Sequence, residues 1–179
     1  MAGGFVLVAG PSGAGKDTLI RLARARLAEN PRVVFPRRLV TRPPSPDEDN
    51  EEISEPNFAR GQAAGAFALD WRAHDLGYAI PATAMALARS GRVVVCNVSR
   101  RVVEEARRRL PRVSVVAVTA SPEVLAQRLA ARGRAQDGDL ATRLSRSAPV
   151  KADLTIVNEG DREAAVDRLV AHLIDRCRD

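Results

Sequence analysis

Apolar and polar positions fall into blocks along the chain, and the blocks alternate between two periods. Phe5–Ala9 is wholly apolar, as expected of a strand buried on both faces. The stretch from Lys16 to Ala28 places Leu19, Leu22, Ala23 and Leu27 on one side, which predicts a helix. Arg32–Val40 reads as a second strand. Residues 41–56 ("TRPPSPDEDNEEISEP") read as loop, because their prolines and acids suit neither period. A short helix is expected over 57–65 and a strand over 67–74. A helix follows Pro81 and ends at Gly91. The apolar runs 92–98 and 113–120 predict buried strands around a helix from Arg100 to Leu110. Ser121 caps a helix with Pro122 at its first position that runs to Gly133. A second helical piece is expected over 139–147, a last strand over 153–158, and a final helix from near Asp161. That helix buries Val166, Leu169, Val170, Leu173 and Ile174. Alternating strands and helices of this kind predict an α/β domain around a largely parallel sheet.

Composition changes this picture little. At 179 residues the chain fits one domain with a real core. No apolar run approaches the ~18 residues of a membrane span, so no membrane partner is expected. Cys96 and Cys177 are too few and too scattered for a disulfide framework or a metal site, and a reduced cytoplasm is the expected location. The formal charge is +6, which raises nucleic acid as a partner. All but two of the 28 basic residues are arginine, however. They are spread along the chain without aromatic residues between them to stack bases, so no nucleic-acid partner is expected. An anionic small molecule accounts for the charge equally well. The sequence leaves the oligomeric state open.

The chemistry is concentrated at Gly10-Pro11-Ser12-Gly13-Ala14-Gly15-Lys16, between the first strand and the first helix. Glycines there let backbone N–H groups turn inward around phosphates, the helix N-terminus adds positive potential, and Lys16 reaches in as a mobile charge. This is a phosphate-binding loop, and the expected ligand is ATP with Mg²⁺. Asp17 and Thr18 complete the expected nucleotide site. Asp17 stands where such loops usually place the Ser or Thr that binds Mg²⁺. It either holds the metal, directly or through water, faces the acceptor, or is a first-turn acid favoured by the helix dipole. From the residues alone, the reading ends at a P-loop kinase of a small phosphorylated acceptor.

Beyond that point the chain resembles guanylate kinase along nearly its full length: "GPSGAGK", "TRPP", "YAIP", "LAQRLAARG", "ATRL" and "TIVN" keep that family's order. It is more similar still to one branch, the ribose 1,5-bisphosphate phosphokinases of phosphonate breakdown, through "GKDTL", "FALDWRAHDLGYAIP" and "VTASPEVLAQRLAARGR". The guanylate-kinase features that read GMP are missing. Leu69 replaces the guanine-reading glutamate, Asn50 a phosphate-binding tyrosine, and Ser45 a second acceptor arginine. The resemblance implies a P-loop NTPase fold with core segments 1–35, 81–123 and 150–179, an acceptor-binding segment of about 36–80, and a lid of about 124–149. It implies transfer from ATP·Mg²⁺ to ribose 1,5-bisphosphate, giving 5-phosphoribosyl 1-diphosphate. Arg38, Arg42, Tyr78 and His74 would hold the acceptor, with Arg38 rather than Arg37 turned towards it, and Trp71 would shape the pocket. Arg132 and Arg143 would reach the ATP phosphates from the lid, with Arg128 and Arg134 near them. Asn158 would contact adenine. Asn97 stands where the family ends its strand with aspartate, which makes Asp17 the better candidate for managing the metal. Three alternatives stay open: another nucleoside monophosphate kinase, a nucleotide-binding module without transfer, and a basic nucleic-acid binder.

Overall fold

In the computed structural model, which describes residues 3–46, 48–132 and 149–178, five parallel strands carry the molecule. They are β1 (Gly4–Ala9), β2 (Val33–Val34), β7 (Val93–Asn97), β8 (Ser114–Thr119) and β9 (Leu154–Val157), and their spatial order is β2-β7-β1-β8-β9. The intervening β3 (Arg38–Val40), β4 (Asn50–Glu52), β5 (Phe67–Ala73) and β6 (Leu76–Pro81) form a second sheet in the order β4-β3-β6-β5.

Period-two geometry sends successive side chains of a strand to opposite faces, so a strand covered on both sides is apolar at every position. In β1, Val6 and Val8 join one core with α1 (Lys16–Arg26) and α6 (Arg162–Arg178), through Leu19, Ala23, Leu169 and Leu173. Phe5, Leu7 and Ala9 face the other core. There α3 (Thr83–Arg89) and α4 (Val103–Arg109) supply Ala84, Ala88 and Ala106, and the second sheet supplies Leu69, Trp71 and Ile80. Among the described residues there are two further α-helices, α2 (Glu55–Ala63) and α5 (Pro122–Arg132). Leu169 is fully buried, so Leu169→Ala is expected to cost about 2–5 kcal/mol, read as a lowered urea midpoint at unchanged slope.

The structure corrects two expectations and extends a third. The second strand is broken: Pro36 lacks an amide donor, and the chain leaves the main sheet after Val34 and enters the second sheet at Arg38. The loop over 41–56 contains β4, paired parallel to β3 through Arg38↔Asn50 to Val40↔Glu52. It also contains the start of α2, where the Ser54 hydroxyl accepts from the Asn57 amide and Pro56 sits in the first turn. The strand over 67–74 is one half of a hairpin with β6. His74 and Asp75 make its two-residue turn at φ 52° and 62°, the left-handed backbone that such hairpin turns require. Expectations over 139–147, with Arg143 and Arg134, lie outside the described residues. Among the described residues no helix is long and apolar enough to cross a membrane.

Candidate active site

The chain next re-enters this sheet after β1 at the edge strand β2, beyond β7, and after β7 at β8, on the far side of β1, so the two connections diverge and open a crevice at the carboxyl ends of these neighbours. A cleft of about 930 Å³ lies there, at the upper end of the ~300–1,000 Å³ typical of small-molecule sites. It has room for two phosphorylated ligands.

The loop between β1 and α1 forms its floor. Gly10 lies so close to β8 that a Cβ would stand 2.0 Å from the Val118 carbonyl oxygen, so no other residue fits. Gly15 caps α1 at φ 88° with no side-chain hydrogen bond, leaving the first-turn amides of α1 for an anion. The loop is held from behind. The Asn158 side-chain amide donates to the Ala14 carbonyl (2.7 Å), and Arg128 donates to the carbonyls of Gly13 (3.1 Å), Ala14 (3.4 Å) and Asn158 (2.7 Å). These bonds hold the carbonyls of Gly13 and Ala14 from behind the loop.

Lys16 lies across the mouth of the loop, donating from Nζ to the carbonyls of Gly10 (2.8 Å) and Pro11 (3.0 Å). Burial lowers its pKa to about 8. Asp17 opposes this shift, and the charges of Arg38, Arg100 and Arg132 add to it. Asp17 beside it accepts from the Asn97 side-chain amide through Oδ1 at 2.6 Å. One carboxylate of this kind suits Mg²⁺, which is commonly held by one or two carboxylates together with phosphate oxygens and water. No cluster of three His, Cys, Asp or Glu that could bind a metal by itself occurs among the described residues.

The opposite wall comes from the second sheet. Trp71 and Tyr78 stack with ring centroids 5.5 Å apart and planes within 7°, and the Arg38 guanidinium lies 4.9 Å from the Tyr78 centroid. Arg38 also donates from Nε to Asn50 (3.3 Å) and from Nη1 to the Asn97 carbonyl (3.2 Å). Tyr78 is thus enclosed on both ring faces, so it offers a ligand only its edge and hydroxyl. Arg42 forms an ion pair with Glu48, which also accepts from the Asn50 side chain at 2.8 Å.

Three comparisons bear on this arrangement. A family model described as an AAA domain matches residues 6–145. The ribose 1,5-bisphosphate phosphokinase PhnN of Methylobacterium radiotolerans is 67% identical over 173 residues, covering 97% of this chain and 98% of that protein. The chain belongs to the ribose 1,5-bisphosphate phosphokinase family. Another member, from Acidiphilium cryptum, is 52% identical over 179 residues, covering 99% and 96%. A guanylate kinase structure from Anaplasma phagocytophilum superposes with a TM-score of 0.69 at 21% identity, covering 99% of this chain and 88% of that one. That likeness shows a shared fold alone. P-loop kinases of this kind use a nucleotide.

Within the family fold, the cleft gathers most of the residues expected from sequence. Gly10, Pro11, Ser12, Gly13, Gly15, Lys16, Asp17, Thr18, Arg38, Arg42, His74, Tyr78 and Arg132 all line it. Arg38 faces the cleft, whereas Arg37 pairs with Asp49 at 2.9 Å. One expected nucleotide contact is placed otherwise: Asn158 is buried behind the loop and braces its backbone, while the Ala14 side chain packs into the core. Arg128 grips loop carbonyls rather than lining the cleft. Arg42 is engaged by Glu48 rather than free. The acidic run that reads as a solvated loop supplies ion-pair partners: Glu48 for Arg42, Asp49 for Arg37 and Arg24, and Glu55 for Arg72.

Sequence reasoning missed Arg21, Arg100, Arg101 and Lys151, which also line the cleft. Among the described residues none of the four enters an ion pair. Arg100 is half-buried, and desolvation, with Arg101 beside it, lowers its pKa. One signal was available, since Ser99-Arg100-Arg101 follows a buried strand at the carboxyl edge where α/β sheets bind ligands. Among the described residues, eight lysine and arginine side chains and three carboxylates line the cleft, and that balance favours an anionic ligand.

Proposed function

We propose that the protein transfers the terminal phosphoryl group of ATP, with Mg²⁺, to the 1-phosphate of ribose 1,5-bisphosphate, giving 5-phosphoribosyl 1-diphosphate and ADP. The observation that carries this reading is near-full-length identity with proteins named for that phosphokinase activity. The cleft supports it, because a phosphate loop and a cationic wall face one another across a space that admits both substrates.

The amides of the loop and the first turn of α1 hold the donor phosphates. Lys16 leaves its carbonyl partners to meet them, and Arg132 approaches from the end of α5. Arg38, fixed by its two hydrogen bonds and by Tyr78, presents its fork to the acceptor phosphate. The Tyr78 hydroxyl and the unpaired edge of Arg42 flank it, with His74 at the rim. The acceptor oxygen is already ionised at neutral pH, so no general base is needed, and alignment and charge neutralisation carry the reaction. Asp17 would hold Mg²⁺, which would supply charge neutralisation on the transferring phosphates. GMP is disfavoured as acceptor, since Leu69 is fully buried in the core with no group to read a base.

The test is a product assay with ribose 1,5-bisphosphate, GMP, AMP and no acceptor, following ADP release and the phosphorus NMR spectrum. A diphosphate signal with the bisphosphate alone supports the reading, and efficient GDP formation overturns it.

Lys16 adds a pH signature. Its free-state pKa lies near 8, and bound phosphates favour the ammonium, so the complex holds more protons than its parts. Nucleotide binding at pH 8 should take up about half a proton. Affinity should fall as pH rises above 8 until the bound-state pKa is passed. Calorimetry in buffers of different ionisation enthalpy measures the uptake, which should vanish in Lys16→Met.

A further inference from the structure

We infer that Asn97 is a positioning residue for phosphoryl transfer: its side chain fixes the Asp17 carboxylate, and its carbonyl ties that carboxylate to the Arg38 guanidinium on the acceptor wall. The inference rests on the function proposed above and gives a role to a residue which that function leaves without one.

Asn97 is the last residue of β7 and lies opposite Val8 of β1, so it stands on rigid backbone beside the phosphate loop. It is half-buried. Its two polar ends point to different halves of the cleft: Nδ2 donates to Asp17 Oδ1 at 2.6 Å, and the main-chain oxygen accepts from Arg38 Nη1 at 3.2 Å. A single residue therefore links the group placed to hold the metal to the cation placed to hold the acceptor. A strand end does this more accurately than a loop, because the backbone leaves it little freedom.

The residue type follows from electrostatics. Asp17 already brings one negative charge beside the donor phosphates, and its Oδ1 needs a donor. An amide supplies one. An aspartate at position 97 would set a second carboxylate within hydrogen-bond distance of the first, where like charges repel. In other P-loop enzymes the loop carries a hydroxyl and the carboxylate belongs to a separate aspartate. Here the carboxylate is in the loop, and its neutral partner is on the strand. The pair has exchanged sides with its total charge unchanged.

The exchange predicts that it can be reversed. Mn²⁺ binding to the enzyme–ADP complex, followed by the electron paramagnetic resonance of free Mn²⁺, reads the pair without any acceptor. Asn97→Ala should weaken Mn²⁺ by ~10–100-fold, the usual effect of removing the partner that orients a metal ligand, with a similar fall in turnover. Asp17→Thr and Asn97→Asp should each be at least as damaging. The double variant Asp17→Thr with Asn97→Asp should regain Mn²⁺ affinity to within ~10-fold of wild type, better than either single change, because contacting residues are not additive. Melting curves on every variant separate loss of fold from loss of site, and the swapped pair carries the test should Asn97→Ala not fold. The inference is overturned by Asn97→Ala that keeps Mn²⁺ affinity within twofold, or by a double variant no better than the worse single one. These readouts use only ADP and Mn²⁺, so they stand even where wild type fails to phosphorylate the bisphosphate, a result that sinks the proposed function instead.

Discussion

Lys16→Met is expected to lower phosphoryl transfer by ~10³-fold or more while leaving the protein folded and no less stable. The size of the loss follows from position, since Lys16 brings a full charge to a desolvated site where phosphate charge is redistributed in the transition state. Losing a single neutral donor at such a site already costs ~10²–10³-fold. The stability expectation runs the other way. Among the described residues Lys16 hydrogen-bonds only to the carbonyls of Gly10 and Pro11, and burial opposes its charged form, hence its pKa near 8. That pKa lies below the unfolded value of 10.5. Between these two values the unfolded chain holds the extra proton, so stability of the free enzyme should rise as pH goes from 8 to 10.5. Methionine keeps the length of the side chain and removes the buried charge, so the variant should melt no lower than wild type and lose this pH dependence. Turnover within tenfold of wild type would dismiss the assignment of Lys16 to the donor phosphates.

The second large effect is expected on the opposite wall. Arg38→Ala should lower kcat/KM for the acceptor by ~10²–10³-fold, the range for truncating a hydrogen-bonded partner of a buried charge, with the KM for ATP changed little. Arg38→Lys should recover only a small part, because a point charge cannot reproduce the planar fork or its stacking over Tyr78. Steady-state kinetics varying each substrate in turn makes the comparison. An unchanged acceptor KM together with a raised ATP KM would move Arg38 to the donor side.

How far the sequence reveals this molecule depends on the element. The central strands β1, β7 and β8 are legible because burial on both faces leaves a nearly uninterrupted apolar run, and the phosphate loop because its glycines answer steric demands such as that at Gly10, where a Cβ would stand 2.0 Å from the Val118 carbonyl oxygen. β4 is not legible. Asn50, Glu51 and Glu52 form an edge strand whose side chains are largely exposed, so no hydrophobic pattern is required of them. β6 is obscured by Gly77 and Pro81, although its partner β5 is clear. In the site, the phosphate-loop motif picks out Lys16, the family resemblance Tyr78 and strand alternation Arg38, whereas Arg100 and Lys151 are hidden by the abundance of arginine and by their distance from any motif. Arg128 shows the converse limit. It stands in a stretch shared with the family's lid, yet its guanidinium braces the loop from behind, a role that only the packing of α5 against Gly13 reveals.

The wall of stacked rings has an optical consequence. Trp71 and Tyr78 are the only tryptophan and the only tyrosine in the chain, and both border the cleft. All indole emission therefore originates from the ring stacked on Tyr78, whose other face meets Arg38, and light absorbed by the phenol is passed to the indole across 5.5 Å. An acceptor phosphate that draws Arg38 off the Tyr78 face changes the charge next to this pair, so acceptor titrations should register in native fluorescence. Nucleotide alone, bound across the cleft, should alter the emission less. The enzyme thus carries its own label at the acceptor wall.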